Sequence, residues 1–361
     1  MNKIITYLKK KPLAWLLLAL PLAVIAELLH WNPLVVFILS AVGVIPMAGY
    51  IGEATEALAA YTGPKIGGLL NATLGNAAEL IITLVAIRAG LLELVKASIT
   101  GSILGNLLLV MGASMVLGGA KNGIQTFDRK HVSNHSILLV LSVLALVIPS
   151  LFSHSIGPDD SIGVEALSLG VSGVMITLYA LGLIFSFKAS RSPITYPGAE
   201  SKETTEHHGW TRGKALIVLA LATLGVVILS EMLVGAVEVV VESVGLSEFF
   251  LGIILIPIVG NVAEHLVAVQ VAIRNQMDLS VEIAVSSSLQ IALFVAPLLV
   301  FISLAMGNPL TLIFNQFELL ALGAGVIIAA LVASDGESNW LEGSALIAVY
   351  VILGLAFFLV K

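Results

Sequence analysis

Apolar runs of about twenty residues or more, separated by short polar links, fill the chain from residue 12 to residue 360. A helix needs about 20 apolar residues to cross the hydrocarbon core of a bilayer. The pattern predicts eleven such helices, at 12–30, 33–60, 66–88, 92–118, 132–152, 162–187, 212–241, 247–273, 278–305, 310–333 and 340–360. The roughly ten-residue alternating segments of an outer-membrane barrel are absent. The fold class read from the pattern is an all-α polytopic membrane protein.

The polar positions orient these helices. With the amino terminus inside, fourteen lysines and arginines, from Lys3 to Arg274, fall on the cytoplasmic side, and only Arg88, Lys96 and Lys361 fall on the other. Such a bias is what the positive-inside rule requires. The first helix, preceded by Lys9-Lys10-Lys11 and ending near Val24-Ile25-Ala26, also has the layout of a cleavable signal peptide. Its apolar run is long enough to span, so retention is the expectation.

Setting that segment (1–30) aside leaves five helices in 31–187, a polar linker at 188–211, and five helices in 212–361. Five is odd, so two matched halves cross the membrane in opposite senses. Inverted repeats of this kind place a transporter's substrate site near the midplane, between the halves. The linker carries Glu200, Lys202, Glu203, Glu206, His207 and His208. It reads first as a solvated connection and second as a regulatory cation site.

The repeat is visible in the residues. Gly75-Asn76-Ala77-Ala78-Glu79 is echoed by Gly260-Asn261-Val262-Ala263-Glu264, and Val85-Ala86-Ile87-Arg88 by Val271-Ala272-Ile273-Arg274. Each half then adds a second polar helix, in which Ser102 and Asn106 match Ser286 and Gln290. Intramembrane carboxylates are expensive and mark function by default. Gly75 in the first half, and Pro257 and Gly260 in the second, interrupt the helices there and free carbonyl oxygens.

Composition narrows the chemistry. The chain of 361 residues is 58% hydrophobic and 11% charged, against about 25% charged in a soluble domain. With no cysteine, disulfides, thiolate metal sites and thiol catalysis are excluded. What remains suits a hard cation held by oxygen. Calcium takes about 6–8 oxygens; Glu79 and Glu264 neutralise its two charges, with Asn76, Asn261, backbone carbonyls and water completing the shell. Magnesium holds its water too tightly for such a cage. An empty ionised pair repels itself, so protons compete with calcium for the same two carboxylates. Two protons or one calcium each leave the pair neutral and free to change sides. That makes an antiporter.

Other candidates follow from position. Glu56 and Glu238 stand seven residues before Gly63 and Gly245, toward opposite membrane faces, and are candidate access-pathway or proton-carrying acids. His265, opposite Leu80 in the first half, is placed to tune Glu264 or to carry a proton. Ser102, Asn106, Ser286, Ser287 and Gln290 offer neutral oxygens on the second polar helices, which suits proton coupling better than sodium coupling. Gly101, Gly105 and Gly112 are expected to allow close helix packing.

At these residues the sequence resembles the calcium/cation antiporter superfamily and, within it, the cation/proton exchanger (calcium/proton antiporter) family. GNAAELII at 75–82 and GNVAEH at 260–265 resemble its two signatures, and GSILGNLLLVMG at 101–112 and SSLQIALFVAP at 287–297 resemble their partner segments. The first signature often has threonine where Ala78 stands. The resemblance implies calcium ligation by Glu79 and Glu264, one extra helix before two five-helix halves, and, through Gln290, proton coupling. A sodium/calcium exchanger of the same superfamily is the nearest alternative. A cation channel sits poorly with an internal inverted repeat. A membrane enzyme is disfavoured because no ATP-binding G-x-x-x-x-G-K-[ST] loop is present and Glu264-His265 lacks the second histidine of a zinc helix.

The expected partners are calcium, protons and the lipid bilayer, with no nucleic acid, no prosthetic group, and self-association into a homo-oligomer left open. The expected location is a bacterial inner membrane, with the N-terminus cytoplasmic and the C-terminus outside. In a eukaryote it would be a vacuole-like membrane.

Overall fold

The computed structural model describes residues 12–159, 161–188 and 210–360. The amino-terminal residues 1–11, and almost all of the expected linker 188–211 with Glu200 through His208, lie outside the described residues. Within them, eight helices are long and apolar enough to cross a membrane, and two shorter apolar helices, Ala14–Leu28 and Gln316–Val332, accompany them. The protein is an all-α polytopic membrane protein.

A 3₁₀ turn at Pro12–Leu18 leads into α1 (Ala19–Leu28); α2 (Pro33–Leu74), α3 (Ala77–Arg88), α4 (Leu92–Leu104) and α5 (Met111–Asn122) follow. After β1 (Gln125–Thr126) come α6 (Arg129–Ile156), α7 (Ile162–Lys188), α8 (Arg212–Gly235), α9 (Val237–Val244) and α10 (Ile256–Ile273). The chain ends with α11 (Met277–Gln290), α12 (Ala296–Met306), α13 (Gln316–Val332), β2 (Glu337–Ser338) and α14 (Trp340–Leu359). Turns of π-helix join α4 to α5 (Gly105–Val110) and α11 to α12 (Ile291–Val295), and a third, Leu251–Leu255, precedes α10.

Four expected boundaries differ. Helical geometry runs unbroken from Pro33 to Leu74, where a break near 61–65 was expected. The chain still reverses there. A Cβ on Gly67 would lie 3.0 Å from the Cβ of Ala59, eight residues earlier, whereas a straight helix would separate the two by about 12 Å. The expected helix 66–88 is cut at Gly75-Asn76, and 212–241 is cut at Ala236.

The fourth difference is at 310–333, where the helix starts only at Gln316. Asn315 and Glu318 form a capping box that fixes this start. The apolar residues Leu310, Leu312 and Phe314 are buried in non-helical chain, so their backbone donors need other partners. Serine hydroxyls provide them: Leu310 N donates to Ser303 Oγ (2.8 Å), Leu312 N to Ser168 Oγ (3.0 Å) and Phe314 N to Ser150 Oγ (2.9 Å). A Ser150→Ala variant leaves the Phe314 N–H buried and unpaired. It is expected to lose about 1–3 kcal/mol of stability, read as a lower unfolding temperature in detergent.

Burial separates a core from a periphery. The Leu92–Asn122 span is 72% buried and Met277–Met306 61%, whereas Ile162–Phe185 and Trp340–Leu359 are each only 22% buried. The α4–α5 and α11–α12 helices cross α3 and α10 at the centre, while α2 packs along α8. Small residues allow the closest crossings. A Cβ on Gly101 would collide with the Ile253 carbonyl, and one on Gly112 would lie 2.9 Å from Gly343 O. Gly105 has no such neighbour, so the expected packing role applies to Gly101 and Gly112 and not to Gly105.

Contacts between links fall into two groups. On one side Arg88 pairs with Glu231 (3.0 Å), Asn308 Nδ2 donates to Ile87 O (2.9 Å) and Leu94 N donates to Glu248 (3.1 Å). On the other, β1 pairs with β2 through Gln125 and Ser338, Gln125 Nε2 reaches Ala272 O (3.0 Å), and Tyr61 donates to Trp210 O (2.7 Å).

Candidate functional site

The break at Gly75-Asn76 places Glu79 in the first turn of α3. There the unpaired N–H groups and the helix dipole favour a negative charge. Glu264 instead sits mid-helix in α10, which runs unbroken through Gly260, and the distortion lies upstream in the π turn before Pro257. The two segments therefore differ: the first unwinds beside its glutamate, and the second widens more than two turns upstream of its own. Gly260 lies against Glu79, since its Cβ would stand 3.6 Å from that of Glu79. This close crossing brings the two signatures together.

Around this crossing the two glutamates have matching environments. Glu79 accepts a hydrogen bond from the Ser102 hydroxyl and one from Asn261 Nδ2 (3.3 Å). Glu264 accepts one from the Ser287 hydroxyl (3.0 Å). Ser102 follows Glu79 by 23 residues, and Ser287 follows Glu264 by 23. The asparagines reach across to the serines of the opposite half: Asn261 Nδ2 lies 3.4 Å from Ser102 Oγ, and Ser287 Oγ lies 3.5 Å from Asn76 Oδ1. Each carboxylate is thus tied to both halves of the chain.

The remaining polar groups extend the Glu264 cluster. Asn76 Nδ2 donates to Gln290 Oε1 (2.9 Å) and Asn106 Nδ2 to Ser287 Oγ (3.1 Å). His265 Nε2 meets Asn106 Oδ1 at 3.1 Å. Both polar helices turn from α to π geometry immediately beyond the site, at Gly105 and at Ile291. Such turns leave the α-helical bonding ladder and are frequent at functional sites.

Of the twelve candidate residues, nine join one of two hydrogen-bonded clusters at this crossing: Glu79 with Ser102 and Asn261, and Glu264 with Ser287, Asn76, Asn106, His265 and Gln290. Ser286 does not. Its hydroxyl donates to the Glu282 carbonyl of its own helix (2.5 Å), and Ser287 takes the place that the sequence match gave to Ser286. In the corrected register Gln290 stands opposite Gly105, and Asn106 opposite Ile291. Three consecutive serines, Ser286 to Ser288, left nothing in the sequence to choose between them. Glu56 and Glu238 have exposed side chains and no hydrogen bond to either cluster among the described residues.

Two residues of the site were not anticipated. Thr83, one turn after Glu79, is buried and donates to the Glu79 carbonyl (2.9 Å). Ser98, one turn before Ser102 on α4, is fully buried beside Glu79; the four-residue spacing from Ser102 was the available signal. Access is uneven, because Glu79 is 1% exposed while Glu264 is only part-buried.

The family profile described as sodium/calcium exchanger protein matches residues 32–188 and 214–359, more than four-fifths of the chain. The chain belongs to this family. It is 45% identical over 340 residues to the Ca(2+)/H(+) antiporter ChaA of Bacillus subtilis (strain 168), covering 94% of this chain and 96% of that one. It is 43% identical over 354 residues to a Ca(2+)/H(+) antiporter of Aphanothece halophytica, covering 95% of each. Among solved structures, native YfkE superposes with a TM-score of 0.84 at 42% identity, over 96% of this chain and all of that one. In this family member, then, the two glutamates and their serine partners lie at the crossing of the paired signatures.

Proposed function

We propose that the protein is a secondary antiporter that exchanges calcium for protons by alternating access, with Glu79 and Glu264 binding calcium or protons in competition. One observation carries the reading: the two carboxylates stand at one helix crossing, each hydrogen-bonded to the serine 23 residues later, which in turn meets an asparagine of the opposite half. Two carboxylates brought together inside the membrane favour a cation from solution. Calcium supplies two positive charges at once, and the carboxylates, the amide oxygens of Asn76 and Asn261, and backbone or water oxygens suit its coordination. Two protons neutralise the same pair.

Coupling follows from electrostatics. With calcium or with two protons the pair is neutral, and the halves rock past one another at tolerable cost. Empty and ionised, it resists the change, so one load is exchanged for the other. The inverted five-helix halves, 31–187 and 212–361, are the bodies that move. The matching 23-residue spacing of each glutamate and its serine supports that division. With the N-terminus in the cytosol, an inward proton gradient exports calcium across a bacterial-type inner membrane.

Sodium coupling is the rival. It is disfavoured because Asn106 and Gln290 present amides beside the glutamates, where a sodium site would gain from a further anion. The two antiporter relatives described above are also named for protons.

Calcium flux in liposomes tests the reading, with a pH gradient or a sodium gradient imposed separately and the voltage clamped by ionophore. The pH gradient alone is expected to drive uptake, and the sodium gradient alone to leave it at background. Uptake driven only by sodium overturns proton coupling. Absence of calcium movement under both gradients overturns the exchanger reading.

A further inference from the structure

The first long helix of each half, α2 and α8, meets the other half reciprocally. A Cβ on Gly43 of α2 would lie 3.0 Å from Leu229 Cδ1 of α8, and one on Gly225 of α8 would lie 2.8 Å from Met47 Sδ of α2. Gly43 is to Gly225 as Met47 is to Leu229, at the same spacing that relates Glu56 to Glu238. These contacts fix the register of the repeat in the packed structure. On that register Glu231 of α8 corresponds to Gly49 of α2.

Glu231 has a charged partner. Arg88 Nη1 donates to its Oε1 at 3.0 Å. Arg88 closes α3 in the first half and Glu231 stands on α8 in the second, so this ion pair joins the halves. The repeated Val-Ala-Ile-Arg stretch makes Arg274 the equivalent of Arg88. Its partner would be residue 49, and a glycine has no carboxylate to offer. Gly49 instead lies against α10, where its Cβ would stand 3.8 Å from that of Ala263, and Arg274 makes no ion pair among the described residues. In an inverted repeat the two arginines end their helices toward opposite faces. One face is therefore fastened by charge and the other is not.

Exposure of the glutamates follows the same asymmetry. Glu79, on the helix that ends at Arg88, is 1% exposed, whereas Glu264, on the helix that runs to Arg274, is only part-buried. The side chains of Arg88 and Glu231 are 72% and 45% exposed, so their pairing adds little to the stability of the fold. A preference between two arrangements of the halves needs far less, because a small free-energy difference shifts their populations severalfold. We infer that Arg88 and Glu231 form a one-sided latch, made while the Arg88 face is shut and parted when that face opens, which biases the exchanger toward the state open at the Arg274 face. The latch rests on the calcium-exchange reading above, and its test separates the two.

The parent, Arg88→Gln, Glu231→Gln and the exchanged pair Arg88→Glu with Glu231→Arg are reconstituted into liposomes in one orientation, and exchange is measured with calcium varied at the Arg88 face alone. A face that is open only part of the time binds with an affinity reduced by that fraction. Each glutamine variant should therefore lower the half-saturating calcium at the Arg88 face by about two- to fivefold, the range over which an exposed ion pair shifts an equilibrium. The exchanged pair should return it to near the parent value. Altered surface charge alone predicts otherwise, since loss of a positive charge and loss of a negative one change the local calcium concentration in opposite directions. Opposite shifts in the two glutamine variants, or no shift in variants that still exchange calcium, overturn the latch and leave the exchange reading intact. Absence of calcium exchange in the parent overturns both.

Discussion

Glu79→Gln and Glu264→Gln are each expected to abolish calcium exchange while leaving the protein folded. Glutamine has the shape of a protonated glutamate and still offers an oxygen to Ser102 or to Ser287, so the hydrogen bonds that fix the site survive. What is lost is one of two negative charges. A calcium-loaded site would then carry a net positive charge in a buried position, and an unpaired charge there costs several kcal/mol. Transport should fall by more than the roughly 10- to 100-fold that changes around a metal's outer shell produce. Three readouts check this: calcium flux in liposomes, the calcium-dependent rise in unfolding temperature, and elution as a single species in detergent. Flux and thermal rise should vanish together while elution stays unchanged. Retained exchange in either variant defeats the two-glutamate mechanism.

Gly101→Val should lose the fold itself. The added Cβ would collide with the Ile253 carbonyl and crowd Pro257 Cγ, the latter on the turn that leads into α10. A backbone carbonyl cannot rotate aside as a flexible side chain does. The penalty should therefore exceed the roughly 1–3 kcal/mol of ordinary overpacking. Because α4 carries Ser102 and α10 carries Asn261 and Glu264, forcing the two helices apart also pulls the site open. Gly105→Ala is the control. It lies one turn further on in the same GSILGN stretch, and its Cβ would meet nothing within 4 Å. The valine variant should aggregate or unfold at a much lower temperature, and the alanine variant should transport calcium near the parent rate. Equal behaviour of the two would remove the close α4–α10 crossing from the account.

The sequence by itself determined the class of the protein, because a bilayer imposes its length and polarity on every span and leaves few alternatives. It also marked Glu79 and Glu264, since carboxylates inside apolar runs are rare enough to stand out singly and were doubled by the repeat. The reversal between Ala59 and Gly67 was legible as a boundary, although the helical hydrogen bonding that continues through it was not.

Other features depended on contacts between distant segments. Leu310 to Phe314 look like the start of a helix because they are apolar. They stay non-helical because hydroxyls of Ser150 on α6, Ser168 on α7 and Ser303 on α12 satisfy their backbone donors. Gly101 and Gly105 are alike in sequence, and only the position of Ile253 separates them. Ser286 and Ser287 are neighbours with equal chemistry, and one residue of register, 100° around a helix, decides which meets Glu264. A membrane fixes which segments are buried, a property each segment carries in its own composition. Which side chains meet across a helix crossing is a property of two segments together, and only the packed structure holds it.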